Sequence, residues 1–195
     1  MLKRNKLKKR LLYITITFFV LLLFSVSDVF AEIRVIYTKG RAAYQVGRSW
    51  RPLKRGLVLR QGTRVSTGFR SWAVLKVNGN YMRIKPLTLI KIYANSRSRK
   101  LKKTHIGLRR GSIRARVKRN RKIRTIFKVS TPVATSSVRG TEKDISYGPG
   151  TGMVIKVITG TVTGETLNGQ LRLIGKKLFY KYNNNSSNPT PLISG

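Results

Sequence analysis

From residue 33 onward the apolar residues of this chain recur at every second position, and no window of twelve shows a helical stripe. The clearest case is Ser112-Ile-Arg-Ala-Arg-Val-Lys118, with Ile113, Ala115 and Val117 on one side and Arg114, Arg116 and Lys118 on the other. A period of two puts alternate side chains on opposite faces of a pleated strand, one apolar and one wet. Residues 33–38, 71–77, 88–93 and 152–158 follow the same rule and are rich in Val, Ile and Tyr, which suit a half-buried pleat. Glycine punctuates the runs. Asn78-Gly79-Asn80 reads as a hairpin turn, and Gly148-Pro-Gly-Thr-Gly152 as a hairpin tip. Gly-Thr or Gly-Ser pairs beginning at Gly62, Gly111, Gly140 and Gly160 are unevenly spaced, which excludes a fixed-period solenoid. Pro52, Pro86 and Pro132 fall at run ends or turns, where a missing N–H does least harm. The pattern predicts an all-β protein: a two-sheet roll or sandwich of many short antiparallel strands.

The first 31 residues follow another logic. Lys3, Arg4, Lys6, Lys8, Lys9 and Arg10 precede an apolar core, residues 11–24, and Val29-Phe30-Ala31 offers small residues at the −3 and −1 positions. A basic start, a short apolar core and a small-residue site make a secretory signal peptide. The core is shorter than the about 20 residues that a membrane span needs. Cleavage after Ala31 is the expectation. An uncleaved anchor, its basic end held inside, is the alternative. Either way the rest is expected outside the cytoplasmic membrane, in the periplasm, at the cell surface or secreted. The chain has no cysteine, so disulfides, thiolate metal sites and a lipidated cysteine are all excluded. The expected organisation is a signal peptide at 1–31, one domain at 32–182, and a polar, proline-broken disordered tail at 183–195.

Charge is the second constraint. The chain carries 42 Lys and Arg against five Asp and Glu, a net +37. Without residues 1–31 the net charge is +32, and Glu32, Glu142, Asp144 and Glu165 are the only acids. Such an excess attracts polyanions. For an exported protein these are anionic envelope polymers or lipid headgroups; an envelope protein is the other partner class. Nucleic acid is disfavoured, because Tyr93 and Phe127 read as core rather than as base-stacking platforms. Two stretches concentrate the charge at expected loops. Arg97, Arg99, Lys100, Lys102 and Lys103 form one, and Lys118, Arg119, Arg121 and Lys122 the other. They flank Gly111 and would meet if the strands between them formed a hairpin. These nine residues are the candidate anion-binding set, weighed against ordinary solvated loop tips.

Catalytic chemistry finds little purchase. Glu142 and Asp144 are two apart, so they share one strand face and neutralise nearby cations instead of opposing each other across a pocket. His105 is the only histidine, reads as a solvated strand-entry residue, and leaves no zinc set. The reading is non-enzymatic, with no catalytic, cofactor or metal site.

A final motif is Thr131-Pro-Val-Ala-Thr-Ser-Ser-Val-Arg-Gly-Thr141. In chain order, Gly40, Trp50, Leu53 to Gly56, Thr67-Gly-Phe-Arg-Ser71, Arg83 to Thr88 and Leu108-Arg-Arg-Gly111 lead up to it, and Gly160-Thr-Val162 follows. This series, covering about residues 33–165, resembles the FecR-like domain family. The resemblance implies an all-β extracytoplasmic module, used for binding or signalling. It makes Thr131, Pro132, Ala134, Val138, Arg139, Gly140 and Thr141 signature positions with structural roles. Arg139 is read as a hydrogen-bond anchor, with anion capture as the alternative. Two departures matter. Lys143 stands where the family has an apolar residue; it shares a face with Ile145, so that face is expected to be wet or Lys143 to snorkel at an edge. The cytoplasmic sigma-factor-binding segment of the family's membrane regulators has no counterpart in the ten residues, six of them basic, before the apolar core, so the anti-sigma role does not transfer. A signalling subunit of a FecR-type envelope system remains the alternative function.

Overall fold

A computed structural model describes residues 32–138, 140–166, 171–174, 179–182 and 190–192. The stretch read as a signal peptide and Arg139 therefore lie outside the described residues, as does most of the stretch 183–195. The described residues contain strands, turns and bends and no helix.

The strands, in chain order, are β1 (Ile33–Lys39), β2 (Ala42–Val46), β3 (Ser49–Pro52), β4 (Val58–Leu59), β5 (Arg64–Thr67), β6 (Trp72–Val77), β7 (Asn80–Ile84), β8 (Leu89–Arg97) and β9 (Leu101–Arg116). After these come β10 (Arg124–Ser130), β11 (Ala134–Val138), β12 (Glu142–Gly148), β13 (Gly152–Thr159), β14 (Val162–Thr166), β15 (Leu171–Ile174), β16 (Phe179–Tyr182) and β17 (Thr190–Leu192). All are hydrogen-bonded into one curled sheet. The pairing is antiparallel except between β9 and β10, where Leu101 to Gly107 run parallel to Arg124 to Ser130. β17 falls inside the stretch read as a disordered tail; the edge strand β16 offers its backbone groups, and residues 190–192 take them.

β9 organises the sheet. Its first part, up to Arg110, pairs with β8 and β10. Its second part, from Gly111, pairs with β7 and β12. The strand thus leaves one ladder and enters another. Gly111 is the corner: its φ is +88°, and a Cβ there would stand 2.6 Å from Thr88 Cα. Only a residue without a side chain fits that backbone and that gap. Thr88 fastens the bend, its Oγ1 accepting from Ser112 N–H at 2.9 Å and donating to Ser112 C=O at 3.1 Å.

The two-residue period is realised strand by strand. Ile33 and Val35, Ala73 and Leu75, Met82 and Ile84, Ile113 and Ala115, and Ile145 and Ile155 are fully buried. Ile90, Ile92, Ile106, Leu108, Phe127 and Val129 from the other ladder join them in a single core. Lys143 departs from expectation. It is neither wet nor at an edge but fully buried. Its register partner is Ala115, whose face is the core face, and β12 lies between β9 and β13 with no free edge to snorkel to. Lys143 Nζ donates to Ser136 Oγ of β11 at 2.7 Å. Burial pushes its pKa well below the ordinary lysine value.

Candidate functional site

The two polybasic stretches do meet, by a route the sequence reading did not contain. No hairpin joins them. Because β9 turns its corner at Gly111, its two ends come back to the same place, the β6–β7 turn at Asn78-Gly79. That turn is type I′ in character, with φ of +51° at Asn78 and +84° at Gly79, as the Asn-Gly pair requires. Asn78 fixes the base of one stretch: its Nδ2 donates to Asn95 Oδ1 at 2.6 Å and to Thr104 Oγ1 at 3.1 Å, the residues that flank Arg97 to Lys103 on either arm of the β8–β9 hairpin. Asn80 reaches the other, its Oδ1 accepting from Lys118 N–H at 3.0 Å. The parallel β10 completes the junction, with Arg124 N–H donating to Lys100 C=O at 2.8 Å. Asn120 then shapes the second loop by accepting from the N–H groups of Lys122 and Ile123 at 2.8 and 3.0 Å.

Arg99 and Lys100 occupy the turn after β8, Arg97 ends β8, and Lys102 and Lys103 lie inside β9 rather than in a loop. Lys118, Arg119, Arg121 and Lys122 lie on the connection from β9 to β10. All nine are exposed except Lys102, which is half-buried. None pairs with a carboxylate among the described residues, whose ion pairs involve other cations. The result is a basic corner with its own hydrogen-bonded frame. Asn78 and Asn80 are the residues that sequence reasoning missed; read only as turn formers, they also clamp the two basic stretches.

The signature segment runs from the far end of β10, where Ser130 pairs with Gly107, back along β11, and only its Gly140-Thr141 end reaches this corner. Thr131-Pro-Val-Ala134 is a tight turn: Thr131 N–H donates to Ala134 C=O at 2.9 Å, and Thr131 Oγ1 accepts from Ala134 N–H at 3.2 Å. Pro132 sits exposed in that turn, and Ala134 and Val138 are buried on β11. Gly140 has φ +78°, and a Cβ there would lie 2.6 Å from Arg119 Cβ. Thr141 is buried, and its carbonyl accepts from Val117 N–H at 2.8 Å. Gly140 and Thr141 thus form the surface on which the second basic loop rests.

The acids behave as the sequence implies. Arg114 grips Asp144 with two bonds of 2.8 and 2.7 Å, and Arg116 grips Glu142 at 2.9 and 3.1 Å. Burial works to raise the Asp144 carboxyl, but Arg114 and Lys85 outweigh it and hold it below the usual range. His105 differs from expectation. It is mid-strand and half-buried, with Nε2 2.8 Å from Ser130 Oγ and its ring 5.0 Å from Tyr93. Burial first, then Lys128 and Lys103, push its pKa down. Ser130 Oγ continues to Thr135 Oγ1 at 2.8 Å, so the His-Ser pair runs into a hydroxyl rather than a carboxylate. Among the described residues no group of three His, Cys, Asp or Glu is placed to hold a metal.

Comparison with known proteins bears on this architecture. No curated protein matches the chain. Two crystal structures, at 1.65 and 2.50 Å resolution, of a Parabacteroides distasonis ATCC 8503 protein described as an anti-sigma factor share its fold. Each has a TM-score of 0.54 at 16% identity, over 66% of this chain and 58% of that one, so the match spans less than two thirds of that protein. The FecR protein family model matches residues 63–163, from the start of β5 through the basic corner and the signature segment to β14. The chain belongs to the FecR family.

Proposed function

We propose that this protein is an exported, non-enzymatic FecR-domain module that docks an anionic component of the cell envelope through its basic corner. The carrying observation is the convergence of two polybasic stretches, with no carboxylate partners among the described residues, around Asn78 and Asn80. A hydrogen-bonded backbone frame keeps the two stretches together, so their charges add into one concentrated positive field for a dense polyanion. Counterion release then makes the affinity fall steeply with salt. A FecR-type regulatory subunit is the second reading, favoured by family membership. Such a subunit would engage an envelope protein.

The test is binding to lipopolysaccharide and to phosphatidylglycerol vesicles across a salt series. Neutralising Arg97, Arg99, Lys100, Lys102 and Lys103, or Lys118, Arg119, Arg121 and Lys122, is expected to weaken binding and flatten the salt slope. The control removes charge from exposed Arg48, Lys54, Arg55 and Arg60. Equal losses from corner and control would reduce the corner to bulk charge. Capture of an envelope protein that survives high salt, with no polyanion bound at low salt, would establish the second reading in its place.

A further inference from the structure

The outer face of the β1-β6-β7-β9-β12 ladder carries a second constellation, separate from the corner loops. Register sets it out in rows. Tyr37, Val74, Arg83, Arg114 and Asp144 form one row, and Lys76, Tyr81, Arg116 and Glu142 the next. Trp72 stands beside the first row, half-buried, and is flanked from both neighbouring strands. Tyr37 of β1 stacks on it with ring centroids 4.6 Å apart, and the Arg83 guanidinium of β7 lies 4.6 Å from its centroid.

Arg83 is the anomaly on this face. Its neighbours Arg114 and Arg116 each hold a carboxylate in a two-pronged grip. Arg83 is exposed, is positioned by Trp72, and has no carboxylate among the described residues. A shallow hollow opens on each side of it. One, of about 270 Å³, lies among Val74, Tyr81, Arg83, Arg114, Arg116 and Glu142, the last with its charge already met by Arg116. The other, of about 210 Å³, lies among Trp72, Arg83, Lys85, Pro86 and Arg114. Both are smaller than the roughly 300–1,000 Å³ of a drug-sized ligand site, and Arg83 and Arg114 border both.

We infer that this face is a binding site for a carboxylated saccharide, two neighbouring sugar units occupying the two hollows with a carboxylate on Arg83. The guanidinium fork matches a carboxylate with two parallel bonds, the geometry that Arg114 and Arg116 already show. Tyr81, 40% exposed, and Val74 give an apolar floor for the C–H face of a pyranose. The site is a poor stacking platform for nucleic acid, because Trp72, its largest ring, is covered from both sides and only the smaller phenol rings of Tyr37 and Tyr81 are exposed. It does not suit a lipid, because neither hollow is deep enough for an acyl chain. The inference is independent of the corner reading.

Only two tryptophans exist, Trp50 and Trp72, so a full-length Trp50→Phe protein reports emission from Trp72 alone. The probe is de-esterified oligogalacturonate at physiological ionic strength. The expected result is a saturable change in Trp72 emission, absent with the methyl-esterified sugar and with poly-glutamate of equal charge. Arg83→Gln should weaken binding roughly tenfold or more, and Arg83→Lys should not restore it, because the fork is lost. Tyr81→Ala should weaken it without altering charge. Neutralising Lys118, Arg119, Arg121 and Lys122 should leave the signal in place. The site is overturned if oligogalacturonate gives no signal, if poly-glutamate gives the same one, or if Arg83→Gln and Tyr81→Ala bind as the parent does. Loss of the signal on corner neutralisation overturns it as well, since the face would then follow the general field.

Discussion

Lys143 shows what one side chain can do to the pH response of a whole fold. Its folded pKa is lowered, with burial as the cause. Between that lowered value and the ordinary lysine range the unfolded chain holds the proton and the folded chain does not. The contribution of Lys143 to stability is therefore complete above the ordinary value of 10.5 and is lost as pH falls through the folded value. Thermal melts of the parent are expected to rise with pH through this window. A Lys143→Met, Ser136→Ala double variant should lose that component and be more stable at pH 7 by roughly 1–3 kcal/mol, since it removes a buried polar pair whose desolvation is only partly offset. The difference between the two proteins cancels every other titrating group. An unchanged difference from pH 7 to 11 would mean that Lys143 is solvated after all. Gly140 offers a simpler test at the same scale. Gly140→Val should cost about 1–3 kcal/mol for the forced left-handed backbone, aggravated by the contact with Arg119, and denaturant melts will read it.

Among the elements, the hairpins were legible and the crossings were not. Asn78-Gly79 and Gly148-Pro-Gly-Thr-Gly152 sit at hairpin turns because turn chemistry is local. Strand faces were legible too, from Ile113, Ala115 and Val117, since alternation needs no partner. The register of Lys143 against Ala115 was not, because a lysine beside Ile145 reads as solvent-facing until a neighbouring strand fixes which face is inside. The corner escaped for a similar reason. Residues 101 and 124 pair only through a parallel ladder, and the bend at Gly111 that returns β9 to the β6–β7 turn is a three-dimensional event. The clamp makes a prediction that charge counting cannot. Asn80→Ala changes no charge yet frees Lys118, and with Asn78→Ala it should lower lipopolysaccharide affinity several-fold at constant net charge. Equal affinity in a melting-normal double variant would show that the frame is irrelevant to binding.

For the molecule as a whole, the two-residue alternation reached the all-β class, and the series of motifs ending at Thr131 to Thr141 reached the family by resemblance, before any coordinates. Far-ultraviolet circular dichroism of residues 32–195 should be strand-dominated, well below the roughly one-third helix of an average globular domain. The net charge of +37 works against compaction. Adding salt from about 0.01 to 0.1 M shortens the screening length from ~30 to ~10 Å, so the melting temperature should climb over that range. A melting temperature that falls instead would point to the few ion pairs, such as Arg114 with Asp144, as the dominant electrostatic contribution.

β9 has one more consequence, and it concerns time. Synthesis delivers the chain from its N-terminus, and β7 and β8 emerge before the strand they both need. β12 and β10 emerge after it and need it equally. Residues 101–116 are thus a keystone set midway through delivery. The first half waits with open strand edges, the kind of surface that invites wrong pairing. High sequence separation between partners also slows the search for the native state. A dense positive charge repels a second copy of the same unfinished chain. The excess of lysine and arginine can therefore protect the protein during the seconds when it has edges but no keystone.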